Sequence, residues 1–446
     1  MTKNFLKKNW KVLILIFIAI GWRYCLSFLT AHGDLSVQTE WGRWMYNNKG
    51  VRGLYEWRVW EDIWPNHPPL ISFLYYLCYE IHSDIMGIFS WLGNFIALHR
   101  LAPTKFIWFF NFIIWFGSAK YKNTISLMGV MVVIKQFMII ADLLIAAVIF
   151  RIGKIYKKDW KKPVLFYLFL PFSWYLAAVW GQSDQLSFLF FIIAIGLLMS
   201  KKYVWVSPLL YSIAANLKPN CALLIPLYLF IWYKQKYSFK KLILGTLIAV
   251  GFTYWTVTWF TDSKILPFIL FELSKRLNTS NGLTTLNAFN FWFVLHPYPT
   301  MVTVDTVRFL GITAKCWGWI LFLITTLISF KAVVKDKLET MFGAMFIAAY
   351  GSCLFLTGMH ERYAFLGIVP LLFYSIFELK TRKYFMILSI IYFLSLFYVF
   401  SFPQSWDLIK VIFVWKLQLI PRLLSMVNIL IYGRVTSMIL KKSDHE

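Results

Sequence analysis

Residues 12–29 read Val-Leu-Ile-Leu-Ile-Phe-Ile-Ala-Ile-Gly-Trp-Arg-Tyr-Cys-Leu-Ser-Phe-Leu, an apolar run whose one charge is Arg23 and which Lys3, Lys7, Lys8 and Lys11 precede. A helix needs ~20 such residues to cross the hydrocarbon of a bilayer. Runs of similar character recur at 164–179, 186–199, 242–260 and 384–402. The whole chain of 446 residues is 59% hydrophobic and 15% charged, with a mean hydropathy of +0.63. No soluble domain of this size has the interior to hide that much apolar surface. The expected fold is therefore an all-α polytopic membrane protein, with the bilayer as its first partner.

The formal charge of +25 raises the question of nucleic acid. A polyanion footprint requires a basic stripe or helix face; here the cations punctuate the apolar runs instead. After the first group come Arg151, Lys154, Lys157, Lys158, Lys161 and Lys162, then Lys201 and Lys202, then Lys234, Lys236, Lys240 and Lys241. Lys331, Lys335 and Lys337 follow, then Lys380, Arg382 and Lys383, and finally Lys441 and Lys442. Under the positive-inside rule these mark cytoplasmic loops, with both termini cytoplasmic and no nucleic-acid partner. The first run lacks a convincing cleavage site and reads as a retained span. The five cysteines fall in apolar or near-apolar stretches without CxxC spacing, which suggests neither a disulfide frame nor a zinc site.

Alternation from a cytoplasmic start places an extracytoplasmic loop at about 31–68, a second at about 261–310, and roughly twelve to fourteen spans in all. The number depends on 69–119, where Glu80, His82, Asp84, His99 and Arg100 interrupt the apolar pattern. Short spans are expected at about 203–217 and 220–233. Nothing separates a soluble domain, so 1–446 reads as one integral membrane domain.

This topology puts every unusual polar motif on one face: Gly33-Asp34, His67-Pro68-Pro69, Gly181-Gln182-Ser183-Asp184, Lys218-Pro219, Asn287 to Trp292, and Met359-His360-Glu361-Arg362-Tyr363. A charge at mid-membrane costs roughly 2.5–3.5 kcal/mol on insertion scales, so polar groups at span ends point to a water-accessible cavity. Asp34 is the candidate catalytic base, its carboxyl expected to be tuned upward by an apolar wall; the lesser alternative is that it N-caps a helix beginning at Leu35. Arg362, His360 and Lys218 are candidate partners for a phosphate leaving group, the planar fork of arginine suiting two oxygens at once. Gln182 and Asp184, on a turn that Gly181 permits, are candidates for sugar hydroxyls or for a polar hairpin cap. Asn287 and Asn290 would share one helical face. Glu40, His67, Glu361 and Tyr363 complete the substrate-binding candidates. No dense carboxylate cluster demands a metal, although Asp34 with Glu40 or Asp184 leaves a divalent ion open.

The stretch Gly33-Asp34-Leu35-Ser36-Val37-Gln38-Thr39-Glu40-Trp41 followed by His67-Pro68-Pro69-Leu70 resembles the first luminal loop of the GT-C glycosyltransferases. It is most similar to the glucosyltransferases of lipid-linked N-glycan assembly and their bacterial mannosyltransferase-like relatives, whose pattern is roughly Gly-Asp-x-x-Ala-Gln-x-x-Trp, then Tyr-Pro-Pro-Leu. The likeness continues in Ile140-Ala141-Asp142-Leu143-Leu144, Gly181 to Asp184, Leu217-Lys218-Pro219, Asn287 to Trp292 and Met359 to Tyr363, in the family's order. Val37 stands where the family has alanine, and His67 where it has tyrosine, so neither sugar nor acceptor carries over. The resemblance implies a GT-C helical bundle with interfacial helices in the first loop. It also implies an inverting hexose transfer from a polyprenyl-phosphate donor to a lipid-linked or cell-envelope acceptor, with Asp34 as base and no obligatory cofactor. The active site would be extracytoplasmic, in the plasma membrane of a bacterium or the endoplasmic reticulum of a eukaryote. A transporter or lipid flippase using the same polar residues as ligands is the competing expectation.

Overall fold

The computed structural model describes residues 3–30, 32–55, 65, 67–98, 125–199, 203–261, 282–297, 303, 306–401 and 407–445. The chain begins with α1 (Lys3–Leu29), α2 (Gly33–Asn47), α3 (Pro69–Leu98) and α4 (Ile125–Ile155). Next come α5 (Lys161–Phe169), α6 (Pro171–Trp174) running into a π-helical turn (Tyr175–Trp180), α7 (Asp184–Leu197), α8 (Ser207–Leu217), α9 (Ile225–Lys234) and α10 (Phe239–Thr258). After the short α11 (Phe291–Leu295) and a two-residue hairpin, Arg308–Phe309 with Ile312–Thr313, the chain ends in five helices. These are α12 (Ala314–Lys331), α13 (Leu338–Phe355), α14 (Phe365–Phe377), α15 (Arg382–Val399) and α16 (Asp407–Asp444).

Among the described residues seven helices are long and apolar enough to cross a membrane: α1, α4, α10, α12, α13, α15 and α16. The protein is an all-α, multi-pass membrane protein. Of the seven, α13 is almost wholly buried by its neighbours, whereas α1 and α10 bury only 22% of their apolar windows and turn the rest outward. Exposed Phe17, Phe28, Leu247 and Trp255 on these two helices are what a lipid-facing surface requires.

An eighth crossing is present if α5 and the α6–π segment count as one, bent by 52°. Pro171 makes the break. It has no N–H to continue the ladder, and Leu170 before it is driven to extended backbone (φ −67°, ψ 132°). Carbonyls freed at membrane depth must find donors. Arg23 Nη1 donates to Leu168 O at 2.9 Å and Ser173 Oγ to Tyr167 O at 2.6 Å. The lone charge of the opening run is therefore spent inside the protein. Its Nε donates to Asp142 Oδ2 at 2.7 Å, Nη2 to Ser173 Oγ, and Asp142 Oδ1 accepts from the Tyr167 hydroxyl.

The end of α1 is clasped by Lys135, a buried lysine on α4 whose Nζ donates to Ser27 O, Thr30 O and Thr30 Oγ1. Thr30 Oγ1 in turn donates to Val179 O at 2.8 Å. These contacts run α1 and α4 antiparallel and seat the π turn against the start of α2.

The expected segments at 203–217 and 220–233 each form a short helical stretch, and only 69–98 is recast. The two short ones become α8 and α9, of 11 and 10 residues, separated by a 3-10 turn over Pro219–Leu224. Lys218 is extended (φ −153°) and Pro219 cannot rejoin the helix, so neither piece alone reaches the ~20 residues of a crossing. Residues 69–98, expected to be interrupted, form the single 30-residue helix α3, with His82 buried on it against Gly129. His99, Arg100 and the apolar stretch at 104–119 lie outside the described residues.

Charge divides by helix end. Lys7 and Lys8 lie at the start of α1, Lys154 and Lys158 at or beyond the end of α4, Arg382 opens α15 and Lys442 closes α16. Arg382 meets Asp159 and Lys442 meets Glu378, each at 3.5 Å, tying these clusters together. The polar motifs gather at the opposite ends, beyond Leu29, between Trp180 and Asp184, at Lys218, and between α13 and α14.

Candidate functional site

The chain enters α2 through His32, which is the N-cap: its Nδ1 accepts the Asp34 N–H at 3.0 Å. Asp34 is therefore not the cap, and its carboxylate is released for other work while sitting in the positive first turn of the helix. The His32 ring is wedged against Trp180 and Phe400, with centroids 4.7 and 4.6 Å away. Burial depresses its pKa, although Asp34 opposes this. The 3.7 Å separation between His32 Nδ1 and Asp34 Oδ2 is therefore not an ion pair at neutral pH, because Nδ1 is the acceptor of a backbone hydrogen bond.

Two donors from distant parts of the chain do reach Asp34. Gln182 Nε2 and Arg362 Nη1 both donate to Oδ2, each at 3.1 Å. Burial by itself raises the Asp34 pKa, but Arg362, helped by His32, His360 and His67, more than reverses it and holds the carboxyl below its ordinary range. This corrects the expectation of a carboxyl tuned upward: the apolar wall is present, and a cation 328 positions away outweighs it.

Gln182 owes its place to the turn before it. Gly181 adopts φ +78°, and a Cβ there would come within 3.0 Å of Leu35 and 3.1 Å of Lys135. Only glycine meets both demands. The Gly181 and Gln182 N–H groups donate to Leu176 O, closing the π turn.

Arg362 lies on a 3-10 turn, Glu361–Ala364, that joins α13 to α14. Its carbonyl accepts from Tyr392 OH at 3.0 Å, and Glu361 Oε1 stands 3.7 Å from Nη1. Glu361 is buried; burial pushes its pKa up, and His360 and Arg362 pull it lower overall. Lys218 forms a buried ion pair with Asp184. Burial, with Arg362 nearby, draws the Lys218 pKa down to about 8 despite Asp184. The Tyr363 ring lies between the two cations, 5.7 Å from Lys218 Nζ and 5.9 Å from the Arg362 guanidinium. Asp34, Gln182, Asp184, Lys218, Arg362 and Tyr363 thus form one connected cluster.

A scan against protein-family models and a search of curated proteins both find no match.

The remaining candidates divide. His360 joins the cluster through its ring, 5.3 Å from that of Tyr363, with Nδ1 3.8 Å from Glu361 Oε2, and its backbone bridges to Leu286 and Asn287. His67 touches its edge: the ring packs edge-on against Trp41 at 5.4 Å, and Nδ1 meets Tyr75 OH at 3.0 Å. Glu40 is paired with Arg43 on the same helix at 2.5 Å. Asn287 and Asn290 do not share a helical face, because Asn287 sits at φ +64° outside α11. Asn290 is the N-cap of α11, accepting from Phe293 N while its Nδ2 donates to Cys353 O. Both ends of that amide are thereby occupied by protein. Among the described residues no group of three or more His, Cys, Asp or Glu side chains is placed to hold a metal ion.

Three further residues serve the site without having been singled out from sequence: His32, Lys135 and Tyr392. Lys135 carried a signal, since a lone lysine inside an apolar run must be paired or functional.

Proposed function

We propose that this protein transfers a hexose from a polyprenyl-phosphate donor to a glycan or lipid-linked acceptor, as a GT-C type transferase working at the extracytoplasmic face. Asp34 takes the proton of the acceptor hydroxyl. The acceptor oxygen then forms a bond to the anomeric carbon as the bond from that carbon to the phosphate oxygen breaks. The electron pair leaves with the phosphate, and polyprenyl phosphate is released with its charge held by Arg362 and Lys218.

The observation that carries this reading is the meeting of a half-exposed carboxylate and a mostly buried guanidinium, with side-chain exposures of 43% and 14%, at the ends of helices that otherwise bury apolar surface. Arg362 spends Nη1 on Asp34, while its buried Nε has no hydrogen-bond partner among the described residues. A buried donor left without a partner calls for an acceptor, and a phosphate supplies several oxygens to a planar fork. The transporter reading draws on ionisable groups at membrane depth, but Arg23, Asp142 and Lys135 are already committed to protein partners.

The test is reconstitution in proteoliposomes with polyprenyl-phosphate mannose and glucose, reading radiolabelled hexose passed to extracted lipid-linked glycan acceptors. Transfer above protein-free liposomes is expected. Its absence across that panel, together with uptake of free sugar or flipping of the lipid, would favour the transporter.

A further inference from the structure

The hydrogen bonds at Asp34 are lopsided. Both side-chain donors, Gln182 and Arg362, address Oδ2, while Oδ1 meets no donor among the described residues on a side chain that is 43% exposed. The two donors are unlike in kind. Arg362 is a cation that a donor phosphate attracts, whereas the Gln182 amide is neutral and 1% exposed, on a backbone pinned to Leu176 O. A phosphate that draws the guanidinium toward itself leaves Asp34 with one protein partner.

We infer that Gln182 is a positioning residue for Asp34: it fixes Oδ2 so that Oδ1 receives the acceptor proton, and it keeps that orientation when Arg362 turns to the donor phosphate. The inference rests on Asp34 being the base, and it gives Gln182 a duty other than holding sugar hydroxyls. It also orders the events. Donor binding removes the chief cation that suppresses the basicity of Asp34, so the carboxylate becomes a competent base only when there is a sugar to transfer.

The test compares Gln182→Ala and Gln182→Glu with wild type, after confirming that each elutes as a single species in detergent. For Gln182→Ala, kcat falls about 10- to 100-fold, as misplacement of a reacting group does, while the donor KM stays within about two-fold of wild type. The second readout is the infrared carboxylic-acid stretch of Asp34, identified by its loss in Asp34→Asn and followed against pH without substrate. Loss of one hydrogen bond to the charged form moves the midpoint up by about one unit in Gln182→Ala, and Gln182→Glu, which places a like charge beside Asp34, moves it further. The other groups around Asp34 are Arg362, Lys218, His32, His67, His360, Tyr75 and Tyr363, all unchanged in these variants. An unmoved midpoint, or a raised donor KM with kcat intact, overturns the inference. Failure of transfer by wild type refutes the transferase reading instead, and the infrared midpoint still shows whether Gln182 governs Asp34.

Discussion

Two of the arginine–aspartate pairs, Arg23–Asp142 and Arg362–Asp34, are built differently. Arg23 and Asp142 meet with no exposure on either side chain, at 2.7 Å. The guanidinium also donates to Ala19 O, Leu168 O and Ser173 Oγ, and the carboxylate also accepts from Tyr167. Arg362 and Asp34 meet through one nitrogen and one oxygen at 3.1 Å, with the carboxylate open on its far side. The first pair mends a helix broken by proline and joins α1, α4 and the α5–α6 bend. The second pair leaves Asp34 Oδ1 and Arg362 Nε without hydrogen-bond partners among the described residues. A saturated ion pair holds elements together; an unsaturated one at a water-accessible end can exchange partners.

The difference can be broken most severely at the closed pair. Asp142→Ala leaves Arg23 buried without its counter-charge, and about 3–5 kcal/mol of stability should be lost, read as a lower Tm in detergent and poor recovery of folded protein. Arg362→Ala should lower transfer about 10²- to 10³-fold by removing a charge at the leaving group, with a smaller loss of stability because buried Glu361 loses a cation 3.7 Å away. Arg362→Lys should recover part of this, and equal losses in the two variants would argue against a forked phosphate contact. Gly181→Ala puts a Cβ against Leu35 at positive φ, costing about 1–3 kcal/mol. It should lower Tm accordingly and reduce transfer further by displacing Gln182.

The smallest effect is one of pH. The Lys218 ammonium, drawn down to about 8, is charged below that value and neutral above it. kcat/KM should therefore fall on the alkaline side near pH 8, and Lys218→Arg should remove that limb. The acid limb should lie below the ordinary carboxylate range, since the Asp34 pKa is held low in the free protein. A flat alkaline profile in wild type would take Lys218 out of phosphate binding.

Much of the site was legible as motifs, because Asp34, Gln182, Lys218 and Arg362 each stand beside a glycine, proline or charged neighbour at the end of an apolar run. Their direct contacts were not legible. The sign of the Asp34 shift turns on a guanidinium 328 residues away, which no local pattern contains. The cap of α2 went to His32 because its Nδ1 reaches the Asp34 N–H, a choice of rotamer that propensity does not make. The many-span reading was strongest where runs were uniform, as in α1, α4 and α15. At 203–233 the break at Lys218-Pro219 was legible too, and a short helix lies on either side of it.

The central claim is that Asp34 is a chemical group rather than a structural one, and Asp34→Asn tests it most directly. The amide matches the carboxylate in size and keeps an oxygen for Gln182, but it cannot take a proton. In proteoliposomes its hexose transfer should fall by ~10²- to 10⁴-fold, the range associated with a general base, with Tm and detergent elution unchanged. Transfer at the wild-type rate by a normally folded Asp34→Asn protein would contradict the account.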